Sequence, residues 1–357
     1  MKRYGHLFEQ IYALENLRLA HNNAKKGKGW YQEVKAVDAN EDIYLERLQQ
    51  MLISKTYRTS EYVTFQKTEG AKTRDIYKLP YFPDRICQWA ILQVIEPYIV
   101  RNLTTDTYSA IPGRGIHQAF YKLKNAVQND VQSCQYCLKM DVKKYYPSID
   151  HEILKSKFRR LFKDADLLWL LDEIIDSTPG DTGIPIGNYV SQYAGNFYLS
   201  GFDHWIKEVK RVKYYFRYMD DMIFFAETKE ELHSLFRDIQ KYLSEELRLT
   251  VKENWQIFPT YVRGIDYVGY RIFLNFSLLR KSTCKQFKKK MTAIRDKTNA
   301  GKEMTYSEWC AINSYKGWLI HCDSHRLAEK YITPIQEAAD NFYNERVKPI
   351  DKSRENT

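Results

Sequence analysis

Three aspartates stand where apolar, strand-like runs of the sequence end or turn. Asp141 closes the run that begins at Leu138, and Asp220 and Asp221 interrupt an aromatic run that ends at Phe225. A buried carboxylate costs several kcal/mol unless a cation or a hydrogen-bond donor compensates it. A hairpin tip formed by residues 219–222 would bring the pair of aspartates to solvent at the edge of a cleft.

Carboxylates in such positions can bind Mg²⁺, because this ion takes hard oxygen ligands from proteins. Two Mg²⁺ ions roughly 3.5–4 Å apart can activate an attacking 3′-hydroxyl and stabilise a pyrophosphate leaving group. For either site considered alone, an aspartate in a surface turn that binds no metal is a sufficient explanation. The two sites together favour a metal centre for phosphoryl transfer.

The composition indicates a globular protein that meets a polyanion. The chain has 357 residues, 44% of them hydrophobic and 28% charged, and a formal net charge of +10. This charge favours nucleic acid as the partner, although a merely basic globular protein is the alternative. We expect no membrane contact, because no apolar run approaches the length of a bilayer span. The N-terminus has no signal-peptide core, and six irregularly spaced cysteines are typical of a cytoplasmic protein.

Periodicity predicts an α+β protein. Apolar residues at 3–4 spacing predict helices within residues 1–60 and again from about residue 275. Alternating β-rich runs predict hairpins and strands, and further helical patterns lie between them. The hairpins are expected at 61–80 and 213–227, the strands at 135–149, 247–259 and 261–273, and the helices at 83–100, 151–162, 184–209 (after an initial loop) and 229–247.

Several segments, taken in chain order, resemble the sequence blocks of the reverse transcriptases. They are 72–80, 84–88, 108–115, 141–150 (DVKKYYPSID), 183–192, 218–221 (YMDD), 249–252 and 264–270. The resemblance covers residues 72–322 and implies a right-hand polymerase. We therefore expect N-terminal helices and fingers at 1–130, a catalytic palm with an antiparallel sheet at 131–270, and a helical thumb at 271–357.

The resemblance implies roles for the carboxylates. Asp141 and Asp220 would hold two Mg²⁺ ions, with the Val142 carbonyl as a further ligand. Asp221 would either join them or only shape the local field. Lys252 is the candidate proton donor to pyrophosphate, and a strand-edge lysine without that role is the alternative.

The incoming deoxynucleotide would meet a second group of residues. Arg74 and Arg85 would grip the triphosphate with planar guanidinium groups, and Lys72 would assist unless it is a solvated hairpin lysine. Tyr146 occupies the position of the family's ribose gate, where a ring excludes a 2′-hydroxyl. The alternative for Tyr146 is a core tyrosine, an interpretation that suits Tyr145 better.

Ile186 departs from the pattern of many reverse transcriptases, which have glutamine between the proline and Gly187. An aliphatic side chain cannot make that hydrogen bond with the nascent base pair, so we expect an error-prone enzyme unless other contacts restore fidelity. The pattern around Ile186, together with residues 313–321, resembles the reverse transcriptases of diversity-generating retroelements, a group II intron-like lineage of bacteria and phages.

That closer resemblance implies partners and a product. The enzyme would copy a template-repeat RNA from a primer with dNTPs, make errors at template adenines, and work with a small basic accessory protein that forms a pentamer. Candidate template and primer contacts are Gln192, Gly269, Lys288 and Lys289, the lysines alternatively being a solvated helix face. Other possibilities are a defence-associated or intron-like bacterial reverse transcriptase, and a catalytically silent RNA-binding scaffold.

Overall fold

The structure, a computed structural model, describes residues 3–69 and 72–348, apart from the side chains at positions 69, 72 and 74. The helices are α1 (Phe8–Tyr12), α2 (Leu14–Ala24), α3 (Gln32–Ala39), α4 (Glu41–Ile53), α5 (Ile86–Val100), α6 (Ile116–Asn129), α7 (His151–Leu161), α8 (Ala165–Ile175), α9 (Tyr189–Tyr198), α10 (Ser200–His204), α11 (Lys229–Leu247), α12 (Lys281–Asn299), α13 (Tyr306–Leu319), α14 (His325–Tyr331) and α15 (Thr333–Phe342). The strands are β1 (Val63–Glu69), β2 (Lys72–Lys78), β3 (Tyr136–Asp141), β4 (Tyr215–Tyr218), β5 (Asp221–Ala226), β6 (Gln256–Pro259), β7 (Ile265–Tyr267), β8 (Tyr270–Ile272) and β9 (Ser277–Leu279). Helices and antiparallel hairpins share the chain, which confirms the predicted α+β class.

Helix α5 is the core of the N-terminal half. Ile86, Ile91 and Ile95 are fully buried, and the helix is apolar around its circumference, as expected for a helix surrounded by protein. Helices α1 and α2 pack against it and bury Ile11 and Leu17. The helices predicted within residues 1–60 are therefore confirmed, and the apolar stripes of α1 and α2 face α5.

Both predicted hairpins form. Strands β1 and β2 pair in antiparallel register from Val63 opposite Lys78 to Glu69 opposite Lys72. Strands β4 and β5 pair from Tyr215 opposite Phe224 to Tyr218 opposite Asp221, and they belong to a four-stranded sheet of order β4-β5-β3-β6. The central residues of β5 are buried, so this sheet is the apolar support of the turn between β4 and β5.

The strand expected at 247–259 is wrong over most of its length. Only Gln256–Pro259 is a strand, and Val251 makes an isolated antiparallel bridge with Val142. Arg248 has a left-handed φ of 51°, which breaks the extended run directly after α11. The chain therefore reaches β6 through an irregular segment.

The chain divides into two compact units. The first comprises Met1–Gly115, Leu138–Phe224 and Glu230–Gln256, and the second comprises Ile116–Cys137, Phe225–Lys229 and Ile257–Thr357. The second contains the antiparallel sheet β7-β8-β9 and helices α12–α15. Helix was expected from about residue 275, but β9 precedes α12 because Leu279 pairs with Tyr270 and is buried. No helix in the described ranges is long and apolar enough to cross a membrane.

Candidate active site

The β4–β5 hairpin brings its aspartates to a tight turn. Tyr218 pairs with Asp221, so Met219 and Asp220 alone form the loop, and Met219 has a φ of 54°. The four-residue tip expected from the sequence is too long, because Asp221 is already the first residue of β5. Strand β3 lies beside β5 and ends at Asp141, which brings Asp141 next to Asp220.

The turn gathers negative charge that its neighbours compensate only in part. Lys252 Nζ donates to Asp141 Oδ2 at 2.7 Å, and Lys139 Nζ lies 3.5 Å from Asp221 Oδ1. Burial, the adjacent Asp141 carboxyl and the charge of Asp221 together raise the pKa of Asp220 to about 7. The raised pKa reflects the cost of holding adjacent negative charges in a partly buried turn.

Asp141 also has an oxygen available for a ligand. Its Oδ1 is buried and makes no hydrogen bond within the described part of the chain, an arrangement that is costly without a partner. A divalent cation shared by Asp141 and Asp220 would satisfy this oxygen and lower the pKa of Asp220. The donors present therefore fit Mg²⁺, whose other ligands are usually water, carbonyl and phosphate oxygens.

A second acidic cluster is more compact. Among the described residues, His21, Asp38 and Glu41 hold ligand atoms within 4.8 Å of one another, a spacing that the three aspartates of the turn do not reach as a set. Lys25 Nζ already lies 2.8 Å from Asp38 Oδ1, and Arg18 Nε lies 2.9 Å from Glu41 Oε1. This cluster is an ion-pair network whose charge is compensated by the protein itself.

A short backbone ladder holds Lys252 against the end of β3. Val251 bridges to Val142, and the Lys252 amide donates to the Asp141 carbonyl at 2.8 Å. The ammonium group of Lys252 consequently reaches the carboxylate of the same residue. Val142 is buried directly after Asp141.

The two tyrosines after Asp141 have different environments. Tyr145 is buried, and its hydroxyl donates to the Gly195 carbonyl in α9. Tyr146 is half-buried in a short 3₁₀ turn, and its hydroxyl donates to Met219 Sδ at 3.5 Å. Burial raises the pKa of Tyr146, so the phenol stays protonated. Tyr146 thus contacts the β4–β5 turn.

Ile186 and Gly187 lie against the end of β2. The Tyr77 amide donates to the Ile186 carbonyl at 3.0 Å, and the Ile186 side chain is half-buried. Gly187 has a φ of 123°, and a Cβ on it would lie 2.6 Å from the Tyr77 carbonyl oxygen. Glycine is therefore required where the backbone of this segment approaches the hairpin β1–β2.

Arg85 enters α5 and reaches α9. Its Nη2 donates to the Tyr189 hydroxyl at 2.8 Å, and its guanidinium carbon lies 4.9 Å from the centre of the Tyr189 ring. Its Nε is buried without a hydrogen-bond partner among the described residues, so a donor remains for an anion. Lys72 and Arg74 belong to β2 by their backbone, but their side chains lie outside the described residues.

The candidates for template and primer are distributed over both units. Gln192 is exposed on α9 in the first unit. Gly269, in the second, has a φ of 90° in the β7–β8 turn, where a Cβ would lie 2.5 Å from the Trp318 ring. Lys288 and Lys289 are exposed on α12.

Two further charged residues, for which the sequence predicted no role, contact the turn. Lys139 shares a face of β3 with Asp141, because side chains alternate along a strand, and it lies beside Asp221. Arg217 is buried in β4 and donates to the Met219 carbonyl at 3.1 Å. The signal for both was a charged residue within an apolar strand, which requires a partner.

Comparisons with known proteins identify the family. The family model described as reverse transcriptase (RNA-dependent DNA polymerase) matches residues 66–272. Protein YkfC of Escherichia coli strain K12 is 22% identical over 235 residues, which are 54% of this chain and 62% of YkfC. The chain thus spans about three fifths of the length of this curated relative.

Solved structures of telomerases are also similar. Candida albicans telomerase with a fragment of telomeric RNA matches with a TM-score of 0.47 and 11% identity, over 71% of this chain and 55% of that one. Two structures of apo telomerase from Candida tropicalis match with TM-scores of 0.48 and 0.49 and 12% identity, over 63% and 82% of this chain and 55% and 65% of theirs. The family match, with the observed helices and antiparallel hairpins, confirms the predicted right-hand polymerase fold.

Proposed function

The chain belongs to the reverse transcriptase family, and we propose that it is an RNA-directed DNA polymerase. The observation that carries this proposal is the pairing of Asp141 with Asp220 at the β4–β5 turn. Burial and Asp141 raise the pKa of Asp220 to about 7, and Asp141 Oδ1 is left without a hydrogen bond among the described residues. Divalent cations would resolve both features at once.

In this proposal Asp141 and Asp220 bind two Mg²⁺ ions, with the Val142 carbonyl as a further ligand and Asp221 adding negative charge. Bound there, Mg²⁺ would supply activation of the primer 3′-hydroxyl and stabilisation of the pyrophosphate leaving group. Lys252, 2.7 Å from Asp141, is the proton donor to pyrophosphate.

A second group of residues would hold the nucleotide. Arg85, whose Nε has no hydrogen-bond partner within the described ranges, would bind the triphosphate together with Arg74 and Lys72. Tyr146 excludes the 2′-hydroxyl, a role supported by the hydroxyl contact that fixes its ring against Met219.

The product of this enzyme is proposed to be error-prone cDNA of a diversity-generating retroelement. Support comes from Ile186, whose carbonyl is fixed by Tyr77 while its side chain offers the base pair no hydrogen bond. Gly187 lets the backbone of this segment approach β2 closely. Errors at template adenines, a small basic pentameric accessory protein, and work in the cytoplasm of a bacterium or of a phage-infected bacterium belong to the same proposal.

We assign the hand-like regions as the sequence suggests, with fingers in 1–130, palm in 131–270 and thumb in 271–357. Template and primer would be contacted by Gln192, by Gly269, and by the phosphate-binding lysines Lys288 and Lys289. Support for the lysines is their exposure on α12. Removal of each lysine should reduce the salt dependence of RNA–DNA binding.

Extension of a DNA primer on an RNA template, with Mg²⁺ and four dNTPs, tests the polymerase. We expect Mg²⁺-dependent product from the wild type, none from Asp220→Ala, and normal product from Asp38→Ala, an aspartate of the other acidic cluster. Absence of product from the wild type on every template would favour the silent RNA-binding scaffold.

Sequencing of the cDNA tests the retroelement assignment separately. We expect errors concentrated at template adenines, and fewer of them in Ile186→Gln, each with and without a co-expressed basic accessory protein. Accurate synthesis by the wild type would retain the polymerase and favour another bacterial lineage, defence-associated or intron-like.

A further inference from the structure

A buried ion pair lies next to the β4–β5 turn. Arg217 in β4 and Asp203 in α10 both have side chains with 0% exposure. Arg217 Nε donates to Asp203 Oδ1 at 2.7 Å, and Arg217 Nη2 donates to Oδ2 at 2.6 Å. This two-point contact fixes the plane of the guanidinium group.

Other hydrogen bonds also satisfy the buried carboxylate of this ion pair. Asp203 also accepts hydrogen bonds from the Tyr215 hydroxyl at 2.7 Å and from Thr107 Oγ1 at 3.1 Å. A buried ion pair is seldom the most stable filling for such a space, since apolar side chains of similar volume often serve as well or better. Its presence calls for a role other than stability.

The remaining edge of the guanidinium group faces the turn. Nη1 donates to the Met219 carbonyl at 3.1 Å and to Asn196 Oδ1, in α9, also at 3.1 Å. Met219 has a left-handed φ of 54°, a conformation that a residue with a side chain rarely adopts and that its surroundings must support. Asp220 is the next residue along the chain.

We infer that Arg217 is a positioning residue, which holds the Met219 peptide in its left-handed conformation and thereby directs the Asp220 carboxylate toward Asp141. The backbone of Arg217 is itself fixed on its outer side. Its amide donates to the Asp106 carbonyl at 2.9 Å, and the Tyr108 amide donates to its carbonyl at 3.1 Å.

The contact with Asn196 links Arg217 to α9, the helix that lies against Tyr146. Asn196 follows Gly195, and a Cβ on Gly195 would lie 3.5 Å from the Tyr146 ring. One guanidinium group therefore sets the turn in register with the helix that supports the proposed ribose gate. Asp203 acts through Arg217 by fixing its orientation.

The decisive variant is the double substitution Arg217→Met with Asp203→Leu. It removes both charges together, so that neither is left buried without its partner. Because the inference rests on the proposed polymerase function, two quantities are measured: kcat for primer extension, and the Mg²⁺ concentration that half-maximally raises the Tm of the protein without nucleic acid.

We expect the double variant to fold, to lose about 10–100-fold in kcat through misplacement of Asp220, and to need about fivefold more Mg²⁺ for half of the Tm increase. Affinity for the RNA–DNA duplex should change less than about twofold. If the double variant does not fold, Arg217→Lys replaces it, because one ammonium group cannot reach Asp203 and Met219 together.

Tyr215→Phe is the matched control. It removes one donor to Asp203 but leaves the bond from Arg217 to Met219, so it should lower Tm while kcat and the Mg²⁺ response stay near wild type. An equal loss of kcat in this control would show that activity follows stability, and would overturn the inference. A folded double or Lys variant with wild-type kcat and Mg²⁺ response would also overturn it. Failure of the wild type to extend any primer would instead overturn the proposed function, and the Mg²⁺ comparison would still decide the role of Arg217.

Discussion

Two acidic clusters in this protein use the same kinds of residue and differ in how their charge is compensated. Near the N-terminus, Asp38 accepts from Lys25 at 2.8 Å and is paired with His21 at 2.9 Å. The hydrogen bond from Lys25 is the main cause that lowers the pKa of Asp38. At the β4–β5 turn, burial and the adjacent Asp141 raise the pKa of Asp220 to about 7.

Under the proposed function, the difference means that proximity of ligand atoms is a poor guide to a metal site. The N-terminal cluster is the tighter one, with its ligand atoms within 4.8 Å of one another, yet cations of the protein already neutralise it. The turn is looser but keeps Asp141 Oδ1 buried without a hydrogen-bond partner among the residues that the structure describes. Uncompensated charge, more than density of carboxylates, identifies the group that can do chemistry.

The largest effect should come from removing one uncompensated carboxylate. Asp220→Asn keeps the shape of the side chain but removes its charge, so we expect kcat for primer extension to fall by about 10³-fold or more. Asp38→Asn, the same change in the compensated cluster, should leave kcat within about twofold. Activity above a tenth of wild type in Asp220→Asn would contradict the distinction between the clusters.

Removing one partner of a buried ion pair should instead affect mainly the stability of the protein. Asp203→Leu alone leaves the Arg217 guanidinium buried without its counter-ion, and we expect the free energy of unfolding to fall by about 3–5 kcal/mol. Urea unfolding at pH 7 measures this loss, and the double variant with Arg217→Met should recover most of it. A loss below about 1 kcal/mol in the single variant would mean that water or another side chain replaces Asp203.

The sequence predicted the carboxylates because their signals are local. A strand that ends in aspartate and a hairpin with two aspartates can be recognised within ten residues, and their order along the chain supplied the family resemblance. Arg217 was missed because its partners are distant: Asp203 lies 14 residues away and Thr107 lies 110 residues away. No periodicity links a charged residue in a strand to a partner on another element.

Where the structure differs from the sequence-based expectation, the cause is again a distant contact or a local backbone conformation. The turn holds two residues instead of four because the register that pairs Tyr218 with Asp221 depends on packing beneath the sheet. The strand expected at 247–259 is interrupted because Arg248 takes a left-handed φ, which an arginine in the sequence does not predict. Likewise, the need for glycine at position 187 follows from the Tyr77 carbonyl, more than 100 residues earlier.

The uncompensated cluster should also be visible in the pH dependence of stability. Since the folded pKa of Asp220 is about 7, against an ordinary 3.8, the folded protein holds a proton that the unfolded chain releases between these values. The contribution of Asp220 to stability therefore falls as pH rises from about 4 to 7. Asp220→Asn should be more stable than the wild type by about 3–4 kcal/mol at pH 8, since each unit of pKa shift corresponds to about 1.4 kcal/mol, and equal to it at pH 4. Urea unfolding across this range, without Mg²⁺, measures the difference, and a constant difference would exclude titration of Asp220 as its cause.

In the cluster around Asp38, the pH dependence of stability should have the opposite sign, and the effect should be the smallest of those predicted. Hydrogen bonding to Lys25 lowers the pKa of Asp38, so its ion pair stabilises the folded protein above about pH 4 and loses that effect as pH falls further. Because the Asp38 side chain is 38% exposed, solvent screens the pair, and Asp38→Asn should cost only about 0.5 kcal/mol at pH 7. The same unfolding measurement should show this cost disappear near pH 3, and 1 M NaCl should reduce it at pH 7. Stabilisation by Asp38→Asn at pH 7 would mean that this cluster, too, carries charge that the protein leaves uncompensated, and the distinction between the two clusters would fail.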